Sequence, residues 1–148
     1  MADNPDYIPV AGRTVSEKQA RELNPLVLAY IGDSVQMLYA RTRAALESGR
    51  KAGELHKMVS QEVKAHSQAV AAEKILPLLT PEEEGVFRRA KNSHTNNIAK
   101  NATSVDYRKA SGYEALIGYL YISGQTERLK ELTEIAAQAV SDDRKTDR

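Results

Sequence analysis

The stretch NPLVLAYIGDSV, from Asn24 to Val35, decides how the chain is read. Asn24 is a good N-cap, and Pro25 suits the first helical position, where its missing N–H costs nothing. Leu26, Val27, Leu28, Ala29, Tyr30 and Ile31 follow, apolar on every side, so this helix belongs in a core or at an interface. Asp33 then stands one turn below Ala29 and Tyr30. An unpaired buried charge is costly, so this carboxylate must be paired, exposed at a cleft or bound to a cation.

A second segment poses the same problem. In SGYEALIGYLYI, from Ser111 to Ile122, Glu114 stands among Tyr113, Ala115, Leu116, Ile117, Tyr119, Leu120 and Tyr121. Each segment also carries a glycine within its helical pattern, Gly32 beside Asp33 and Gly118 one turn after Glu114. A helical glycine costs about 1 kcal/mol relative to alanine, which close approach of two backbones would offset. Helices crossing near Gly32 and Gly118 would bring Asp33 and Glu114 together. Two facing carboxylates repel unless they share a proton or a cation. Mg²⁺ prefers oxygen ligands and keeps several waters, and such a site can activate water for an in-line displacement at phosphorus. Spacing alone leaves the alternative open that each acid pairs separately with a nearby Arg or Lys.

The 148 residues suffice for one domain with a real core, and 41% hydrophobic with 28% charged residues is a globular balance. No apolar run approaches a membrane span, and the N-terminus shows no basic segment followed by an apolar one, so neither membrane insertion nor secretion is expected. The absence of cysteine excludes disulfides, thiolate zinc sites and cysteine nucleophiles, and fits a cytoplasmic protein. His56 and His66 are too few for a histidine metal site, and His94 has no recognisable partner motif.

The whole pattern is helical. Ser16 with Gln19 predicts a capping box for a short helix ending near Glu22. A second helix is expected from Pro25 to about Glu47, stopped by Gly49. A third, from about Gly53 to Ile75, carries Leu55, Val59, Val63 and Val70 at helical spacings. Thr80, Pro81 and Glu83 open a fourth. NSHTNNIAKNATS (Asn92 to Ser104) reads as a polar loop, followed by helices from about Val105 to Ile122 and from Thr126 onward. The chain divides into an N-terminal extension (1–15), one all-α domain (16–140) and a frayed tail (141–148).

YIGDSV (Tyr30 to Val35) resembles the signature helix of the ribonuclease III family, and YEALIGYLYI (Tyr113 to Ile122) its second catalytic helix. The likeness continues through Leu55-His56, VFRRAKN (Val86 to Asn92) and RKASGYEALIGYLY (Arg108 to Tyr121), spanning about Leu23 to Leu132. It is nearest to the short bacterial branch that has the catalytic domain without a double-stranded-RNA-binding domain. The resemblance implies a homodimeric, all-α, Mg²⁺-dependent endonuclease that cuts double-stranded RNA and matures the ends of precursor 23S ribosomal RNA, with a large-subunit ribosomal protein as a candidate helper. It assigns Asp33 and Glu114 as catalytic, metal-binding acids. Larger members have further acids one turn earlier, where this chain holds Ala29 and Ser111. The rival reading is a non-catalytic RNA-binding or ribosome-assembly module on the same fold.

Two surfaces are candidates for holding RNA. His56, Ser60, Lys64, Ser67 and Gln68 fall on one face of the third helix, opposite its apolar positions, and suit phosphates and 2′-hydroxyls. Arg88, Lys91, Lys100 and Arg108 belong to a basic segment that meets only Asp106 between Arg88 and Lys109. Tyr107 could donate a hydrogen bond there, and Arg89 could instead pair with an acid of the fourth helix. Tyr30, with the other tyrosines of the two apolar helices, suggests an interface as well as a core, and the resemblance implies that Tyr30 lies at the two-fold contact.

Overall fold

The computed structural model describes residues 13–93 and 104–146. These form α1 (Glu17–Glu22), α2 (Pro25–Ser48), α3 (Ala52–Glu62), α4 (Ala65–Ile75), a 3₁₀ turn (Leu76–Leu78), α5 (Pro81–Lys91), α6 (Ser104–Ile122) and α7 (Thr126–Thr146), and the described residues contain no strand. No helix among them is long and apolar enough to cross a membrane.

Local chemistry sets most of the ends. The Ser16 hydroxyl accepts from Gln19 N–H while the Gln19 side chain accepts from Ser16 N–H, closing the expected box. Asn24 Oδ1 accepts from Leu26 N–H at 2.8 Å. Gly49 ends α2 in the left-handed region, at φ 64°. Thr80 and Glu83 form the second box, at the start of α5. Between α6 and α7, Gly124 turns at φ 72°, and Gln125 N–H donates to Leu120 C=O at 2.9 Å, a Schellman closure.

Helix α6 is the centre of the bundle. It packs along α2 on one side and against α4 and α5 on others, with α7 across its end. From Ala110 to Leu120 every residue is buried except Glu114, which is half buried. Leu28 from α2, Ile75 from α4, Val86 and Phe87 from α5, and Leu129 and Leu132 from α7 complete the core around Leu116, Ile117, Tyr119 and Leu120. Glu83, almost fully buried, accepts two hydrogen bonds from Arg128 at 2.8 and 2.9 Å, tying the start of α5 to α7. Burial alone would raise the Glu83 pKa, but the Arg128 and Thr80 donors hold it below the usual carboxylate range.

The structure departs from the sequence reading in two places. The expected third helix is two helices: Val63 ends α3, and Lys64, extended at φ −68° and ψ 160°, caps α4. The Ser67 hydroxyl donates to Gln61 C=O at 2.8 Å, satisfying a terminal carbonyl of α3 and fixing the bend. Second, residues 141–146, expected as a frayed tail, continue α7, where Gln138 donates to Asp142 at 3.0 Å and Asp143 lies 3.4 Å from His66. The N-terminal extension through residue 12 lies outside the described residues.

The α2–α6 crossing is made by glycine. A Cβ on Gly32 would fall 1.7 Å from Glu114 C=O, and one on Gly118 would fall 2.0 Å from Leu28 C=O. Both obstacles are backbone, so neither can swing aside. Gly118→Ala should therefore destabilise the protein by about 3 kcal/mol or more, since the helices must separate. Gly85→Ala, at a helical site with nothing within 4 Å of the added Cβ, should be neutral or stabilise by up to about 1 kcal/mol. Urea unfolding of the two variants tests this, and equal stabilities would refute the crossing as drawn.

Candidate active site

The same crossing builds the site. Asp33 follows Gly32 directly, and the carbonyl that Gly32 admits belongs to Glu114 itself. Two long apolar helices thus bring one acid each, Asp33 and Glu114, to the crossing, close enough for Asp33 to act on the Glu114 carboxyl. Asp33 is exposed at the rim and Glu114 half buried beneath it. The alternative of separate ion pairs does not occur: neither acid forms a salt bridge among the described residues.

Burial and the adjacent Asp33 push the Glu114 carboxyl up to about 8, against a lowering hydrogen bond from Gln68. At neutral pH Glu114 therefore keeps its proton, which relieves the repulsion of two facing carboxylates. A divalent cation can replace that proton. The donor set fits a hard, largely hydrated ion: two carboxylates, Asp33 exposed and Glu114 half buried. No group of three or more His, Cys, Asp or Glu residues suited to a metal gathers among the described residues. Ala29 and Ser111, one turn before each acid, are buried, and the Ser111 hydroxyl donates to Tyr107 C=O at 3.2 Å.

The proposed RNA residues scatter. His56 and Ser60 are exposed on α3, and Lys64 is exposed at the bend, donating to Gln61 at 2.9 Å. Ser67 and Gln68 do not share their face: they are 2% and 5% exposed, turned inward by the bend. The five residues therefore do not form a single solvated stripe, because the helix assumed to carry them is broken. Arg88 is exposed and paired with Glu84 at 3.3 Å. Lys91, Tyr107 and Arg108 are half buried, and the buried Nε of Arg108 has no hydrogen-bond partner among the described residues. Lys100 lies outside the described residues. Arg89 donates to the carbonyls of Arg21 at 2.9 Å and Gly85 at 3.3 Å, so it holds α1 rather than pairing with an acid. Tyr30 is 80% exposed on the outer face of α2.

Gln36 went unnoticed in the sequence. It lies one turn after Asp33 on α2, and its Oε1 accepts from Gln68 Nε2 at 2.8 Å. Its only sequence signal is that i, i+3 spacing from Asp33.

The Ribonuclease III domain family matches residues 26–125, the segment that holds both acids and both crossing glycines. The chain belongs to the ribonuclease III family. It is 42% identical over 120 residues to Mini-ribonuclease 3 of Thermoanaerobacter sp., covering 81% of this chain and 84% of the relative. It is 40% identical over 125 residues to Mini-ribonuclease 3 of Clostridium tetani, covering 84% and 83%. A solved structure of a Fusobacterium nucleatum protein superposes with a TM-score of 0.71 at 31% identity, covering 78% of this chain and 93% of that one.

The proton held by Glu114 has a thermodynamic consequence. An ordinary carboxylate ionises near 4.5, whereas folded Glu114 holds its proton to about 8. Over that window the unfolded chain binds fewer protons, so this group's contribution to stability falls as pH rises and levels off above about 8. Without divalent cations, Glu114→Gln should thus gain thermal stability over the native protein progressively from about pH 5 to 8, by a few degrees. Parallel melting profiles for the two proteins would contradict it.

Proposed function

We propose that this chain is a Mg²⁺-dependent, homodimeric endoribonuclease that cuts double-stranded RNA and matures the ends of precursor 23S ribosomal RNA. The observation that carries the reading is the Asp33–Glu114 pair at the α2–α6 crossing, in a chain of the ribonuclease III family. A double-strand-specific endoribonuclease is the activity of that family. The ribosomal substrate, and a large-subunit ribosomal protein as helper, rest on the resemblance to its short branch.

Asp33 and Glu114 would hold Mg²⁺ through their carboxylate oxygens, with water and an RNA phosphate completing its ligands. The bound ion would supply the charge that activates a water and stabilises the negative charge developing at phosphorus. Asp33, at the rim, faces incoming RNA. Glu114 would hold the ion in its deprotonated form, and the rigid crossing beneath keeps both carboxyls from moving apart. A non-catalytic RNA-binding module is disfavoured, because two like charges forced together would weaken phosphate binding unless a cation lay between them.

The exposed apolar residues of α2 support the dimer. Leu26, Val27 and Tyr30 lie in its first turns, with Leu23 just before it, and all four are solvent-exposed in the single chain. A two-fold contact there would present two sites to one duplex. Arg88, Lys91, Lys100 and Arg108 would hold phosphates, aided by Tyr107 and by His56, Ser60 and Lys64.

Asp33→Asn should keep the fold and lower RNA cleavage at least about a thousandfold, the loss of several kcal/mol of metal-supplied stabilisation. Full activity on a labelled duplex would sink the assignment. Tyr30→Asp should give monomers with little activity by light scattering and cleavage assay, and a native protein that is monomeric at micromolar concentration would exclude the dimer. Lys91→Ala with Arg108→Ala should weaken binding to every duplex alike and flatten the salt dependence by roughly one unit per lost phosphate contact. An unchanged slope would move the RNA to another surface.

A further inference from the structure

Tyr113 carries a buried hydroxyl that the fold itself does not satisfy. The residue, on α6, is 3% exposed, and its hydroxyl makes no hydrogen bond to any described residue. Among the described residues, the fully enclosed side-chain polar atoms without a partner are Arg108 Nε and Thr126 Oγ1. The Tyr113 oxygen is not one of them, so it touches open space. Tyr113 lines a cavity where α2, α3, α4, α6 and α7 meet, and that cavity is the space its oxygen meets. Burial also pushes the Tyr113 phenol well above its ordinary pKa, so at neutral pH it keeps the proton that it has to donate.

The cavity offers about 20 Å³ of space for water. One water molecule needs roughly 10–15 Å³ by that measure, with two to four polar partners. The walls supply them. Ser67 and Thr133 line the cavity, but their hydroxyls are committed to Gln61 C=O and Leu129 C=O at 2.8 and 2.7 Å. Glu62 accepts from Arg43 through Oε1, which leaves Oε2 available. Gln36 accepts from Gln68 through Oε1, which leaves its amide N–H groups available. Two donors, Tyr113 and Gln36, and one acceptor, Glu62, are thus open on the walls of a cavity that fits one water. Arg43 and Glu62 also line a neighbouring, wider groove of about 140 Å³, which gives water a path in.

We infer that this cavity is a binding site for one water molecule, which accepts from the Tyr113 hydroxyl and from Gln36 Nε2 and donates to Glu62 Oε2. The water joins α6, α2 and α3 through bonds that the side chains do not make to one another. A buried hydroxyl left unbonded costs more than an ordinary hydrogen bond is worth, so the water belongs to the fold. Its place there is independent of the metal-dependent reading above.

The test uses the full chain and Tyr113→Phe, which removes the hydroxyl and keeps the ring. Oxygen-17 magnetic relaxation dispersion detects water oxygens held for longer than the protein takes to tumble, and exchanging hydroxyl protons do not contribute to it. The amplitude for the native protein should exceed that for Tyr113→Phe by about one water molecule. Equal amplitudes would overturn the inference. Thermal melting reads the same bond by its sign. Loss of a satisfied hydroxyl lowers stability, whereas loss of an unsatisfied buried one raises it. Tyr113→Phe should therefore melt a few degrees below the native protein, and an equal or higher melting temperature would overturn the inference. If Tyr113→Phe does not fold, Gln36→Leu takes its place. It removes the second donor and should lose the same single water, and an unchanged amplitude there would overturn the inference as well.

Discussion

Everything at the candidate site depends on two backbones touching where side chains would ordinarily keep them apart. Helix axes normally lie 8–10 Å apart, with the spacing set by the residues at the contact. Here each helix removes its side chain at the contact, so Gly32 receives Glu114 C=O and Gly118 receives Leu28 C=O. The acids are neighbours of these glycines, so their separation is set by main-chain packing rather than by flexible side chains. Main chain within a helix is the stiffest support available. An alanine at either glycine would separate the carboxyls and open the core at the same place.

That placement carries an electrostatic cost, and the surrounding structure absorbs it. Two facing carboxyls in a half-buried setting cannot both be ionised cheaply, and Glu114 answers by holding a proton to about pH 8. The fold keeps them together because the frame gains elsewhere. Helix α6 is buried along Ala110–Leu120 apart from Glu114, and the Glu83–Arg128 pair with its capping box clamps α5 to α7 away from the cleft. On the metal-dependent reading, a cation held there would take the place of the Glu114 proton and meet the same need for countercharge.

The parts of this design written in local chemistry were legible in the sequence. Ser16, Asn24, Thr80 and Gly49 mark helix ends through short-range hydrogen bonds or a positive φ, and the structure has helix ends at each. The paired anomalies, an acid and a glycine in each apolar helix, pointed to the crossing because nothing local explained them. The bend at Val63–Lys64 was hidden because apolar spacing continues through it: α3 and α4 both turn an apolar side to the core, so the periodicity never registers the break. The single bond that fixes the bend, Ser67 to Gln61, looks like any polar pair in a helix. Missing the bend placed Ser67 and Gln68 on the surface and left Gln36 unseen, since both glutamines matter only through contacts between helices. The continued helix at 141–146 was obscured by its charged composition, while its contact with His66 comes from a distant part of the chain.

The distribution of charge constrains how such a chain can hold a polyanion. Within the basic segment several cations are already committed: Arg88 to Glu84, Lys109 to Glu73, and Arg89 to backbone carbonyls. Lys91 and Arg108 enter no ion pair among the described residues. A net charge of +1 cannot attract RNA by its overall field. With few uncommitted cations in that segment, few counterions are released from it, and one subunit gains little affinity there alone. Doubling them across a two-fold axis multiplies the contacts along one duplex without any new domain. The exposed apolar face of α2 supports the proposed dimer, in which a second copy would add its own basic segment along the same duplex.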